Sequence, residues 1–220
     1  MRKTEFSEGE FYHVYNRGNN KRPIFNAHFD LDRFLLCIQH FNGEAPIGSI
    51  YQNSFKNRLP LGGSTSKSGI VEVVAYCLNP NHFHLILKQL APNGIQKFMH
   101  KLGTGYTMYF NDKYKSSGAL FQGRYKAIHV DSNEYLLHLS AYVNLNSEAH
   151  QNGKRDIKSM LSRSSWSEYV SKQNHLCNKD IVLAQFKGIR DYERFAKDSL
   201  GSIKHLKDSQ RFVLESLNNT

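Results

Sequence analysis

Apolar residues fall along this chain in two rhythms, one of period two and one of helical period, separated by polar turns. In "GEFYHVYNR", Phe11, His13 and Tyr15 alternate with Tyr12, Val14 and Asn16, the period of a strand, and "NRGNNKRP" follows as a polar turn. From Asp30 onward, Leu31, Phe34, Leu35 and Ile38 recur at helical spacing, with Asp30 in the N-cap position. Residues 42–69 lose this periodicity and close on "NRLPLGGSTSKSG", the composition of a mobile loop. The next stretch, "GIVEVVAYCL", "NPN" and "HFHLILK", predicts a strand, a tight turn and a second strand.

After "APNG", the residues Ile95, Phe98, Met99, Leu102, Tyr106, Tyr109 and Phe110 share one side of a second helix. Gly103 and Gly105 weaken that helix and mark either a bend or a close approach. "SSGALFQGRYKAIHV" reads as a turn and a strand, and Asp131 with Glu134 resembles a capping box opening a helix over "NEYLLHLSAYVNLN". Beyond about residue 150 the chain turns polar, with two or three shorter helices and no clear linker. The pattern predicts an α+β fold whose antiparallel sheet carries helices on one side, over residues 1–150. Residues 151–220 are expected as a helical C-terminal extension packed on that core, available for DNA contact.

Charge narrows the choice of partner. Twenty-nine Lys and Arg against nineteen Asp and Glu leave +10, a balance suited to a polyanion such as nucleic acid. Cys37, Cys77 and Cys177 are odd in number and scattered, which argues against a disulfide framework and fits a reducing cytoplasm. The N-terminus "MRKTEFSEGEFY" has no apolar signal segment, and the longest apolar run is too short to span a bilayer, so no membrane is expected.

The chemistry gathers at "NPNHFHLIL". Alternation puts His82, His84 and Ile86 on one face of a strand and Phe83, Leu85 and Leu87 on the other. The second face is apolar and expected to pack against helices, which leaves the imidazoles open to a metal ion. The plainer alternative makes one histidine a hydrogen-bonded core residue and the other simply exposed. On the helix that follows, His138, Tyr142 and Asn146 fall at i, i+4 and i+8. Facing the histidines, Asn146 would complete a metal site beside a phenol; facing away, Tyr142 is a residue at the core margin and Asn146 a solvated one.

These stretches together resemble a known family. "YCLNPNHFHLIL" is similar to the His-hydrophobic-His motif of the HUH single-stranded DNA nucleases, and more narrowly to the IS200-like and REP-associated tyrosine transposases. "FYHVYNRGNNKRPIF" resembles their first strand, "SSGALFQGRYKA" their central strand and "YLLHLSAYVNLNS" their nucleophile helix. Two departures stand out: Ser147 where proline is usual, and a longer loop at 42–69.

The resemblance implies an HUH-type core and a tyrosine transposase or endonuclease that cleaves and rejoins single-stranded DNA through a 5′-phosphotyrosine link. It implies Tyr142 as the nucleophile, His82, His84 and Asn146 as metal ligands, and Mg2+ or Mn2+ as the ion. The expected partner is single-stranded DNA, with hairpin-forming repeats foremost, and the protein acts as a monomer or homodimer.

Arg17, Gln122, Arg124 and Lys126 lie in family-like stretches and are expected to hold the DNA, with Tyr125 or Phe121 available to stack on bases. Lys97, Lys101, Lys113 and Lys115 are either part of that groove or ordinary solvated charges. His13 and His138 are candidates for proton transfer or for structural roles, His138 as a residue supporting the metal ligands from behind. Trp166 is expected to anchor the extension. Two other classes remain open on sequence: a non-enzymatic DNA-binding regulator derived from a transposase, and a general metal-dependent phosphodiesterase.

Overall fold

In a computed structural model the described residues are 4–44, 69–149, 161–171 and 176–199. Most of the expected loop at 42–69 and the end of the extension lie outside them. Strand β1 (Phe11–Arg17) leads into helix α1 (His28–Phe41), followed by the hairpin β2 (Val71–Asn79) and β3 (His82–Gln89). Helix α2 (Gly94–Tyr114), strand β4 (Lys126–Val130) and helix α3 (Asn133–Ala149) complete the first part. A short strand β5 (Arg163–Ser164) and helices α4 (Trp166–Val170), α5 (Asp180–Leu183) and α6 (Ile189–Asp198) follow. The sheet order is β4-β1-β3-β2-β5 with every neighbouring pair antiparallel, so the expected α+β antiparallel architecture is the one observed.

Local rules account for two helix starts. Asp30 caps α1 from inside its first turn rather than as the N-cap. Its Oδ2 accepts the backbone N–H groups of Asn26 at 2.8 Å and Ala27 at 3.0 Å. Helix α3 is capped by Ser132, whose Oγ accepts from the Tyr135 N–H at 3.2 Å, and not by Asp131. In α2 the glycine question resolves as close approach within one continuous helix. A Cβ on Gly105 would stand 2.4 Å from Cζ of Phe41, so any larger residue would have to push the Phe41 ring aside.

The sheet is covered on both faces, not one. On the first face, Phe83, Leu85 and Leu87 of β3 pack with Phe34 of α1 and with Phe98 and Tyr106 of α2. On the second, Ile86, Ala75 and Cys77 pack with Leu139, Tyr142 and Val143 of α3 and with Tyr169 and Tyr192 from the C-terminal part. The expected one-sided layer does not hold, because β2 and β3 together, not β3 alone, form the histidine face. Ile86, Ala75 and Cys77 make its middle apolar, and such a surface is buried by whatever part of the chain can reach it.

A single extra residue in β2 decides which side chains join each face. Pairing runs Val73 with Leu87 but Ala75 with Ile86, leaving Val74 as a bulge. Val71 and Val73 therefore face α1 and α2, while Ala75, Cys77 and Asn79 are switched to the histidine face.

Candidate active site

Register builds the site. Opposed residues of antiparallel strands share a face, and β1 sets Arg17 opposite His82, Tyr15 opposite His84 and His13 opposite Ile86. Strand β4 adds Lys126 opposite Tyr15, and β2 sets Asn79 opposite His82 and Cys77 opposite His84. Helix α3 lays Tyr142 and Asn146, one turn apart, over these strands.

The Tyr142 ring meets His84 edge-on at 5.7 Å between centroids and His13 at 6.2 Å, and the His82 and His84 rings are 5.2 Å apart. Asn146 reaches the same place by hydrogen bonding, its Oδ1 accepting from Asn79 Nδ2 at 2.8 Å. That same Nδ2 lies 3.1 Å from His82 Nε2. The phenol-amide pair of the helix and the imidazole pair of the strand thus converge.

The hydrogen bonds also say which imidazole nitrogen carries a proton. His82 Nδ1 is 2.7 Å from Asn81 Oδ1, a pure acceptor, so Nδ1–H donates and Nε2 keeps its lone pair. His84 Nδ1 is 2.9 Å from His13 Nε2 in a stacked pair. Burial lowers the His13 pKa to about 3, so that ring stays neutral. Holding one ring nitrogen by a partner is the usual way to aim the other at a ligand. The His13 contact was invisible in the sequence, since it depends on the pairing of β1 with β3; the alternation in "FYHVY" was its only trace.

Tyr142 is 5% exposed and Asn146 fully buried. Burial pushes the Tyr142 pKa up to about 12, the Asn146 amide opposes that rise, and Cys77, Tyr15 and Tyr135 add to it. The phenol is therefore protonated at neutral pH.

Among the described residues no group of three or more His, Cys, Asp or Glu side chains gathers, so no carboxylate- or thiolate-rich centre is built there. The donor set present is two imidazoles and an amide oxygen, all neutral. It suits a divalent ion that must keep its charge for a phosphate. Among the described residues the buried Asn146 Nδ2 finds no hydrogen-bond partner, the kind of unmet polar atom that a functional site tolerates.

The other expected contacts divide. Arg17 Nη2 donates to Gln122 Oε1 at 3.1 Å, and Arg17 and Lys126 stand on the histidine face by register. Arg124 instead borders a groove of about 1070 Å³ on the opposite face with Asn16, Phe83 and Tyr125, away from the histidines. His138 turns to the C-terminal segment, packing on Phe195 at 5.0 Å with Nδ1 3.4 Å from Ser199 Oγ. Lys113 is engaged by Asp30 at 2.5 Å and Lys101 by the Gly43 carbonyl at 2.6 Å, so neither is a simple solvated charge. Trp166 packs into the second core, 6.2 Å from the Tyr192 ring. No helix among the described residues is long and apolar enough to cross a membrane.

An α+β sheet protein with a buried histidine, tyrosine and amide cluster is the class that fold and site define. Residues 60–146 match the family described as "Transposase IS200 like", a segment that starts ahead of β2 and stops at Asn146. Over this segment, less than half of its length, the chain is similar to the IS200-like transposases. A solved structure described as "Structure of the REP associates tyrosine transposase bound to a REP hairpin" is similar at 10% identity and a TM-score of 0.45, over 68% of this chain and 73% of that one. No curated protein matches.

Proposed function

We propose that this protein is a metal-dependent tyrosine transposase or endonuclease that cleaves and rejoins single-stranded DNA, with hairpin-forming repeats as its first-choice substrate. The observation that carries this reading is one amide: Asn79 Nδ2 hydrogen-bonds both His82 of the strand and Asn146 of the helix that bears Tyr142. Phosphoryl transfer depends mainly on positioning and on charge stabilisation, and this cluster supplies the residues for both.

In the reaction, Tyr142 Oη attacks the phosphorus of a phosphodiester, the bond to the 3′-oxygen breaks, and a 5′-phosphotyrosine forms. The phenol proton balances the leaving 3′-oxygen, which departs as a hydroxyl. Burial keeps the phenol protonated in the metal-free protein, and its proton is lost as the attack proceeds. A divalent ion held by His82, His84 and Asn146 would supply charge to polarise the phosphate. Arg17, Gln122 and Lys126 steady the backbone of the strand. Because the phosphotyrosine bond conserves the energy of the phosphodiester, an incoming 3′-hydroxyl reverses the step without ATP. Tyr142 is only 5% exposed, so the DNA reaches it after a local opening of the covering residues.

The test mixes the protein with labelled single-stranded hairpin oligonucleotides and Mn2+. A covalent adduct that survives SDS in wild type and disappears in Tyr142→Phe is the expected result. Cleavage that persists in Tyr142→Phe but is lost in His82→Ala makes the protein a general phosphodiesterase instead. Binding with no cleavage by wild type makes it a DNA-binding regulator.

A further inference from the structure

Asn79 is a buried amide, 3% exposed, at the last position of β2. It shares the histidine face only because the bulge at Val74 switches the strand's alternation. Its Nδ2 donates to two of the three candidate ligands, His82 Nε2 at 3.1 Å and Asn146 Oδ1 at 2.8 Å. Those two lone pairs therefore aim at one positively polarised group.

We propose that Asn79 is a fourth ligand of the cation site, turning its amide over so that Oδ1 takes the place of Nδ2 when a divalent cation is bound. The proposal rests on the metal-dependent reading above and adds to it a residue of this chain. A half-turn about the Cβ–Cγ axis of asparagine exchanges O and N with little change in shape. After that turn, Oδ1 of Asn79, Nε2 of His82 and Oδ1 of Asn146 present three acceptors to one point. Without a cation they repel, so the donor orientation wins; with one they coordinate, so the acceptor orientation wins.

The remaining neighbours permit both orientations. Ser162 Oγ lies 3.4 Å from Asn79 Oδ1, and a hydroxyl donates or accepts equally well. Cys77 Sγ, 3.5 Å from Nδ2, is a weak acceptor whose S–H is also a weak donor. The imidazole does not turn over in step, because Asn81 Oδ1 holds His82 Nδ1–H and the Asn81 amide is itself tied by Nδ2 to the Lys21 carbonyl at 3.3 Å. With Asn79 the site offers two nitrogens and two oxygens, all neutral. That leaves positions for phosphate oxygens on an ion preferring six ligands.

Mn2+ titration of the full chain, read by the EPR signal of the free ion, separates the outcomes. Wild type is expected to bind one Mn2+ and His82→Ala to lose it, while Asn79→Leu weakens binding by about tenfold or more. Unchanged or tighter binding by Asn79→Leu overturns the proposal and leaves the amide as a mere spacer or competitor. Should Asn79→Leu fail to fold, Asn79→Asp decides: a carboxylate in a ligand position must tighten Mn2+ binding, and unchanged affinity overturns the assignment. If wild type itself binds no Mn2+, the metal-dependent reading fails as well, an outcome distinct from a failure confined to Asn79.

Discussion

The two faces of one sheet obey different rules. The face toward α1 and α2 is a packed aromatic layer, in which Phe34 lies 5.1 Å from Phe83, 5.3 Å from Phe25 and 4.8 Å from Tyr106. The buried charge beside it, Asp30, is answered by Lys113, Tyr109 and Tyr114 and by two backbone N–H groups. The face toward α3 buries His13, Asn79, His84, Asn144 and Asn146; among the described residues His13 Nδ1 and Asn146 Nδ2 find no hydrogen-bond partner, and neither do Arg33 Nε of α1 and Gln96 Oε1 of α2 on the other side. Buried polar side chains cost stability unless they are paired, so the α3 face, where more of them are buried, is the less economically packed of the two.

That contrast is most sharply tested by a crossed pair. Tyr142→Phe is expected to abolish the SDS-resistant adduct while holding unfolding stability within about 1 kcal/mol, since one hydroxyl is lost. Phe34→Ala is expected to cost about 3–5 kcal/mol in urea unfolding, because it opens a cavity among three other rings. Should Tyr142→Phe destabilise as much as Phe34→Ala, the two faces do not differ as described.

A smaller effect concerns the C-terminal part, which enters the second core directly. Tyr192 Oη accepts from Asn144 Nδ2 at 2.8 Å and shares a hydrogen bond with Ser140 Oγ at 3.1 Å, and Ser165 Oγ donates to Asn144 Oδ1 at 2.5 Å. Tyr192→Phe strips both α3 groups of this partner and is expected to cost about 1–3 kcal/mol in the same unfolding assay. A neutral result would mean that α3 is held without the extension.

Acid probes the other face. Burial alone would raise the Asp30 pKa, but Lys113, Tyr114, the Asn26 N–H and Tyr109 outweigh it and hold the carboxyl below its ordinary value. A depressed folded pKa contributes stability above the ordinary carboxylate range and loses it as pH falls through the folded value. Asp30→Asn is therefore expected to flatten the acid limb of a stability-against-pH curve. An unaltered limb would assign acid sensitivity elsewhere. The mildest expectation is for Arg17→Ala, which leaves stability unchanged and lowers the salt-dependence slope of single-stranded DNA binding by about 0.7.

Much of the architecture was legible because it is written in short-range periods. The alternation in "FYHVYNR", the hairpin through "NPN" and the helical spacing from Ile95 to Phe110 each became the element they predict. The same holds for the candidate site, whose pairs His82 with His84 and Tyr142 with Asn146 are each set by one element's geometry. Less legible were the caps. Asp131 and Ser132 are both good N-cap residues, and the choice between them depends on where β4 releases the chain.

The sequence by itself determined which side chains travel together: two imidazoles on alternate strand positions, a phenol and an amide one helical turn apart. Alternation and helical pitch act over a few residues, so no partner is needed to establish them. Only the tertiary structure decided that the two pairs meet, that His13 backs His84, and that Asn79 lies between His82 and Asn146. Those outcomes depend on strand register and on one bulged residue, and a slip of a single position there sends every later side chain to the other face of the sheet.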